Sequence, residues 1–424
     1  MQSPDTIKSK LFSLVNKGIK YDLDRMVKAA SLCGDPHRAY LSVHVAGTNG
    51  KGSTCAYIES ALRCAGYKTG LYTSPHIVNF EERFKVGGVD ISEDVWFDVY
   101  KDQEEVISAL GLTFFEAATL MSFEIFRRAG VEYAVFETGM GGRLDATNIV
   151  IPQVSVITKL ALDHKEYLGD DMVAIAGEKL GIVKPAVPVV MLEPVDKRVA
   201  RLAEGRCRDV GSELILVGAD EAADVVSGDD GVSFNWRADG RRYAVSMLGE
   251  HQAQNAVLAL NALKCIGGIE YKTACNGIKS AYLPGRFQVI EVGGRDVVVD
   301  VGHNPDAAVV LAEALKQRFR SRRVHLVIGM MGDKDIEAVT SALAPRASSF
   351  YFAKPKTDRA ASPQELYALT EGKFSGRRVI VEDVGDAFRA ALSDAAGTDV
   401  VCVTGSFYTV SEALEAGGIN KSIA

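Results

Sequence analysis

Tryptophan occurs only twice in the 424 residues, and cysteine and histidine seven times each. The cysteines, at positions 33, 55, 64, 207, 265, 275 and 402, are scattered, odd in number and free of C-x-x-C spacing. No disulfide framework is expected from them, and they read as reduced, mostly buried thiols of a cytoplasmic protein. No run approaches the ~18 apolar residues of a membrane span. The start, "MQSPDTIKSKLF", lacks a basic segment leading into an apolar core, so neither a span nor a signal peptide is expected. Basic charge is not in excess: 48 Lys and Arg stand against 55 Asp and Glu, for a net charge of -7. That balance argues against general nucleic-acid binding. Internal repeats and low-complexity tracts are also missing.

With 47% apolar residues, the chain has enough material for more than one core, and its length implies two or three domains. Short β-branched runs alternate with helix-like segments. "LSVHVA" leads into a glycine loop and then the helical "TCAYIESALRCAGY"; "KTGLYTS" follows as a strand. "TFFEAATLMSFEIFRRAG" reads as a helix stopped at Gly130, and "VEYAVFETG", "QVSVITKL" and "VPVVML" as strands. This alternation predicts a parallel sheet covered by helices, with ligands at the strands' carboxyl ends. From about 195 to 247, turn signals and alternating runs predict a small antiparallel insertion, followed by the helix "EHQAQNAVLALNALKCIG". After "LPGRF" the alternation restarts with "DVVVDVG", "RVHLVIGM", "SFYFAKP", "RVIVED" and "DVVCVTGS". The fold class is therefore α/β. A phosphate-loop NTPase-like parallel-sheet domain, with the insertion, spans 1–283, and a smaller Rossmann-like domain spans 284–424, divided near Pro284.

"HVAGTNGKGST" carries the clearest chemistry. A strand, a tight glycine loop and a helix make a phosphate cradle. Glycines admit positive φ and turn backbone N–H groups inward, and the helix start adds partial positive charge. Lys51 can reach the outer phosphates, and a hydroxyl at Ser53 or Thr54 could meet Mg²⁺. The loop departs from G-x-x-x-x-G-K-[ST] at Val45 and Gly52. Glu137 ends the strand "YAVFE", where phosphate-loop proteins commonly place a metal-holding carboxylate. His164 follows a strand at the same edge; alone it reads as structural.

"AGTNGKGST", "SPHIVNFEERF", "FETGMGGRLDATN", "LDHKEYLGD", "GEKLGIVKP", "LPGRF", "DVGHNPDA", "GMMGDKD" and "VTGSF" occur in one order along almost the whole chain. Together they resemble the folylpolyglutamate synthase/dihydrofolate synthase family, relatives of the Mur cell-wall ligases. "DVGHNP" stands where the family more often has D-G-A-H-N-P, and "EKLGI" where it has E-K-A-G-I. Both keep the polar residues. The resemblance implies an ATP-dependent amide ligase. A pterin-bearing carboxylate takes the γ-phosphoryl group, and the amine of L-glutamate attacks the acyl phosphate.

By resemblance, Asn49, Gly50, Lys51, Gly52 and Ser53 surround the ATP phosphates, and Asn255, Arg286 and Asp300 serve the rest of the nucleotide. Ser74, Glu137 and His164 bind Mg²⁺, although histidine is unusual for that ion. Lys179 stands where the family carries a carbamylated lysine. Asp22, Leu23, Phe115, Glu116, Thr119, Asp145, Ala146 and Thr147 face dihydropteroate or folate. Phe115 either stacks on the pterin or packs the core. Arg83, His303 and Ser406 resemble glutamate-site residues. Partners are ATP, L-glutamate and the pterin acid, with no nucleic acid and no membrane, in a monomer whose second domain closes about the linker near Pro284. Rival readings are a ligase confined to tetrahydrofolates, a Mur-type ligase acting on a nucleotide-peptide, and a nucleotide switch without ligase chemistry. The Mur-type reading expects a UDP-binding domain ahead of the phosphate loop.

Overall fold

The computed structural model describes residues 4–18 and 22–419, which divide into two compact units. The first consists of Met1–Leu160, Lys165–Glu221 and Asn255–Ala281; the second of Ala161–His164, Ala222–Gln254 and Tyr282–Ala424.

Eight strands form the first unit's sheet: β1 (Leu41–Ala46), β2 (Thr69–Tyr72), β3 (Phe84–Val86), β4 (Val89–Asp90), β5 (Tyr133–Glu137), β6 (Val154–Ile157), β7 (Val189–Leu192) and β8 (Leu214–Val217), in the order β4-β3-β2-β5-β1-β6-β7-β8. β2, β5, β1, β6, β7 and β8 run parallel. The short β3 and β4 add an antiparallel edge that strand alternation did not predict. β1, β5 and β6 are apolar almost throughout because both faces are covered. On one side, Phe123 and Phe126 of the helix Phe114–Arg128 pack against Phe136. Ala46, Ile157, Val189 and Met191 belong to a second core with the helix Lys197–Asp209.

The helix Phe114–Arg128 starts where the sequence signals it. Thr113 and Glu116 form a reciprocal capping box, and Arg127 and Arg128 occupy the last turn. Gly130, at φ 64°, turns the chain out of the helix.

The expected antiparallel insertion begins later than about 195. Lys197–Asp209 is a helix, with Val199, Ala203 and Cys207 buried at four-residue spacing, and β8 joins the parallel sheet. Within 195–247 the antiparallel strands are β9 (Ala222–Gly228), β10 (Gly231–Trp236) and β11 (Arg241–Val245). This small sheet lies in the second unit, where Arg318 donates to the Asp229 carbonyl at 3.1 Å and Leu248 packs on that unit's core.

The second unit's main sheet contains β12 (Gln288–Val292), β13 (Arg295–Val299), β14 (Val324–Ile328), β15 (Ser349–Lys354), β16 (Arg377–Asp383) and β17 (Val400–Thr404), ordered β12-β13-β17-β14-β15-β16. Its strands are parallel except β12, which hairpins onto β13. Among the described residues, no helix is long and apolar enough to cross a membrane.

Candidate active site

At the carboxyl end of β1, Gly47 adopts φ 152° and Gly50 φ 88°, and the helix Lys51–Cys64 begins directly afterwards. Neither glycine could carry a side chain. A Cβ on Gly47 would lie 1.9 Å from Thr158 Oγ1, and one on Gly50 2.3 Å from Asn255 Oδ1. The loop is pinned from β6's end: Thr48 and Asn49 N–H groups donate to the Lys159 carbonyl at 2.9 and 3.1 Å, and Thr158 Oγ1 donates to the Asn49 carbonyl at 2.8 Å. Gly52 and Ser53 lie buried in the helix's first turn. Lys51 Nζ donates to the Thr48 carbonyl at 3.2 Å and stands 3.9 Å from Glu137 Oε1. The result is a backbone cradle with Lys51 at its mouth and a helix start below.

Glu137, at the end of β5, is buried, and its Oε2 accepts the Ser74 N–H at 3.1 Å. Two expected metal ligands thus meet beside Lys51, and their oxygen donors fit a hard divalent cation. The third, His164, belongs to the other unit. Lys179 is buried, and its Nζ donates to the Gly47 carbonyl at 2.7 Å.

The residues expected on the pterin side also gather in the first unit. Phe115 presses on Gly139, where an added Cβ would lie 2.5 Å from the ring. Thr119 shares a 3.2 Å hydrogen bond with the Tyr72 hydroxyl. Glu116, beyond its capping role, accepts from Arg25 at 2.8 Å. Asp22 accepts the Asp24 N–H at 2.8 Å, at the start of the helix Asp24–Leu32, and Leu23 precedes that helix. Asp145 caps the short turn Ala146–Ile149, its carboxylate drawing in the N–H groups of Gly139, Met140 and Thr147. Burial raises the pKa of this carboxyl, offset in part by the hydrogen bonds from the Thr147 hydroxyl and from these N–H groups. Arg83, expected at the glutamate site, is buried in this unit. It donates to His76 Nδ1 at 2.8 Å, with its guanidinium 5.2 Å from the Phe114 ring centre. Burial first, then the Arg83 charge, lowers the His76 pKa to about 3.

In the second unit, Asp300, His303 and Ser406 follow the carboxyl ends of β13 and β17. Asp300 accepts from the Phe287 and Gly302 N–H groups at 2.9 and 2.8 Å. The Phe407 ring lies 5.5 Å from the Arg286 guanidinium and 6.4 Å from the His303 ring. Ser406 caps the helix Phe407–Ala416. Asp163, to which its motif alone gives no role, joins this group. Its buried carboxylate takes Lys334 Nζ at 2.6 Å, Asn304 Nδ2 at 3.2 Å and His303 Nε2 at 3.3 Å, with His164 Nε2 at 3.9 Å. Burial pushes the Asp163 carboxyl up, but the His303 hydrogen bond and the His164, His303 and Lys334 charges hold it well below the usual carboxylate range. Asp163, His164 and His303 offer ligand atoms close enough for a metal ion, though Lys334 already places an ammonium on the same carboxylate. Both missed residues sit inside motifs quoted for the resemblance, "LDHKEYLGD" and "GMMGDKD"; nothing in the spacing pairs them.

Residues 45–263 match the Mur ligase middle domain family, and residues 285–407 the Mur ligase, glutamate ligase domain family. A dihydrofolate synthase/folylpolyglutamate synthase of Escherichia coli is 37% identical over 410 residues, covering 96% of this chain and 94% of its own. Among solved structures, E. coli FolC in complex with DHPP and ADP superposes with a TM-score of 0.88 at 34% identity, over 98% of both chains. The Yersinia pestis bifunctional folylpolyglutamate synthase/dihydrofolate synthase, complexed with AMPPNP and an Mn ion, gives 0.85 at 32%, again over 98% of both chains.

Proposed function

The chain belongs to the dihydrofolate synthase/folylpolyglutamate synthase family of Mur-type ATP-dependent ligases, and from that premise we propose that it performs both reactions for which its relatives are named. It joins L-glutamate to dihydropteroate and to the γ-carboxylate of folates, each through an acyl phosphate, as a cytoplasmic monomer. The observation carrying this reading is the cradle of Gly47 to Lys51 with Glu137 and Ser74 at its mouth, beside a loop packed on Phe115.

A carboxylate resists amines because its charge is delocalised and oxide leaves poorly. Here a carboxylate oxygen attacks the γ-phosphorus and ADP departs; the glutamate nitrogen then attacks the carbonyl carbon, loses its proton, and phosphate leaves. The protein's task is alignment and neutralisation of charge. Asn49, Gly50, Gly52 and Ser53 hold the phosphates through the loop and helix start, and Lys51 follows the transferring group. Mg²⁺ held by Ser74, Glu137 and His164 would supply further neutralisation. Asn255, Arg286 and Asp300 serve the nucleotide. Asp22, Leu23, Phe115, Glu116, Thr119, Asp145, Ala146 and Thr147 serve the pterin acid, and Arg83, His303 and Ser406 serve glutamate. Lys179 acts as a carbamate: Lys179→Ala loses activity and short carboxylates restore part of it, and an unsupplemented variant of wild-type rate would remove this role.

ADP release, measured separately with dihydropteroate and with tetrahydrofolate, each with and without L-glutamate, tests the reading. Glutamate-dependent turnover with both acids supports it. Turnover with tetrahydrofolate alone leaves a monofunctional enzyme, and glutamate-independent hydrolysis a nucleotide switch.

A further inference from the structure

His44 lies at the centre of β1 with no exposed surface, three residues before the phosphate loop. Its Nε2 is 2.8 Å from Thr147 Oγ1. That hydroxyl donates its single proton to Asp145 Oδ1 at 2.5 Å, so the imidazole must be the donor: Nε2 carries the hydrogen and Nδ1 is bare. Nδ1 is buried without a hydrogen-bond partner, and a proton there would be a desolvated, unpaired charge. Burial, and then the Lys184 charge, lowers the His44 pKa to about 3, in keeping with a neutral ring.

The chain of bonds continues past Asp145. Oδ1 also accepts the Thr147 N–H at 3.0 Å, and Oδ2 accepts the Gly139 and Met140 N–H groups at 2.8 and 3.0 Å. Four donors fill the capacity of one carboxylate. Asp145 therefore serves the acid by holding the loop 139–147 in shape, with Gly139 against Phe115.

The geometry points to His44 as a positioning residue for the acceptor acid: acting through Thr147 and Asp145, it sets the wall against which the pterin-bearing carboxylic acid lies. This rests on the ligase reading above. The phosphate cradle is fixed by different partners, Thr158 and Lys159, so loss of His44 acts on the acid and spares the nucleotide.

The test compares wild type, His44→Ala, His44→Gln, Thr147→Val and the double variant, in the full chain, with KM measured separately for dihydropteroate, ATP and glutamate. Each of His44→Ala and Thr147→Val raises the KM for dihydropteroate roughly tenfold, the value of a hydrogen bond to a charged network. The double variant is no worse than either single one, and the other two KM values stay within about twofold. His44→Gln, which keeps an N–H donor, recovers most of the loss. In wild type, imidazole ¹⁵N shifts report a proton on Nε2 and none on Nδ1. A proton on Nδ1, or a parallel change in all three KM values, overturns the proposal. If wild type forms no amide at all, the ligase reading fails instead. The ¹⁵N spectrum, with the Gly139 and Met140 amide shifts in His44→Gln, then still decides whether the network exists.

Discussion

At the scale of single residues, charge near the phosphate loop is arranged sparingly. Lys51 is mostly buried, and its ion-pair partner is a carboxylate expected to hold metal. Its ammonium therefore has little structural work and is available to a transferring phosphoryl group. Lys51→Ala should lower acyl-phosphate formation by roughly 10²–10³-fold while leaving the melting temperature within a few degrees. Hydroxylamine trapping of the activated acid checks the first and calorimetry the second; normal trapping would remove Lys51 from the chemistry. His44 gives a pH signature of defined sign. The folded ring takes its proton only near pH 3, whereas the unfolded one takes it near 6.5, so the unfolded chain binds more protons in between. Stability is therefore lost as pH falls from about 6.5 toward 3, by up to ~1.4 kcal/mol per pH unit from this residue. Denaturation in urea at pH 6.5 and 5.5 should show wild type losing about 1 kcal/mol more than His44→Gln, less than the limiting slope because the unfolded ring is only half protonated at pH 6.5. Equal losses in the two proteins would contradict a buried neutral histidine.

At the scale of elements, the phosphate-loop helix is held from behind by the helix Tyr271–Ser280. Gly277 makes this approach possible: a Cβ there would lie 2.3 Å from Ala61 Cα. Gly277→Ala should push the two helices apart at a cost of about 1–3 kcal/mol and weaken nucleotide binding, since the loop rides on the helix that moves. Titration with ADP and a thermal melt read both effects; an unchanged affinity in a destabilised protein would show that the loop is set by Lys159 and Thr158 alone. This contact was invisible in the sequence, because a helical glycine looks the same whether or not another backbone lies against it. What was legible has a local cause. β1, β5 and β6 announce themselves as apolar runs, and Thr113 with Glu116 marks a helix start. The helix Lys197–Asp209 carries a weak local signal, because its apolar positions are few and its arginines many. β12 is hidden because two glycines, Gly293–Gly294, do not by themselves distinguish a hairpin from a loop. The site divides the same way: the loop from Gly47 to Lys51 and the acid at the end of β5 carry local signatures, whereas the Asp163–Lys334 pair joins residues 171 positions apart.

At the scale of the whole molecule, ligand binding should be visible as stability. A ligand held only by the folded state adds RT ln(1 + [L]/Kd), about 2.7 kcal/mol at a hundredfold excess over Kd. For units of 150–250 residues each kcal/mol moves the midpoint by roughly 2–4 °C, so ADP should raise the first unit's transition by about 5–10 °C. Much of that gain should depend on a divalent cation. Glu137 is a buried carboxylate with the Lys51 ammonium 3.9 Å away, and phosphates brought up to it add negative charge beyond what that ammonium balances. Chelation with EDTA should therefore remove most of the shift, restoring Mg²⁺ or Mn²⁺ should return it, and Glu137→Gln should respond little to either metal. Calorimetry under these conditions decides the matter: a nucleotide shift of full size in EDTA would mean that the cradle's N–H groups and Lys51 bind phosphate by themselves, and would take the metal away from Ser74 and Glu137.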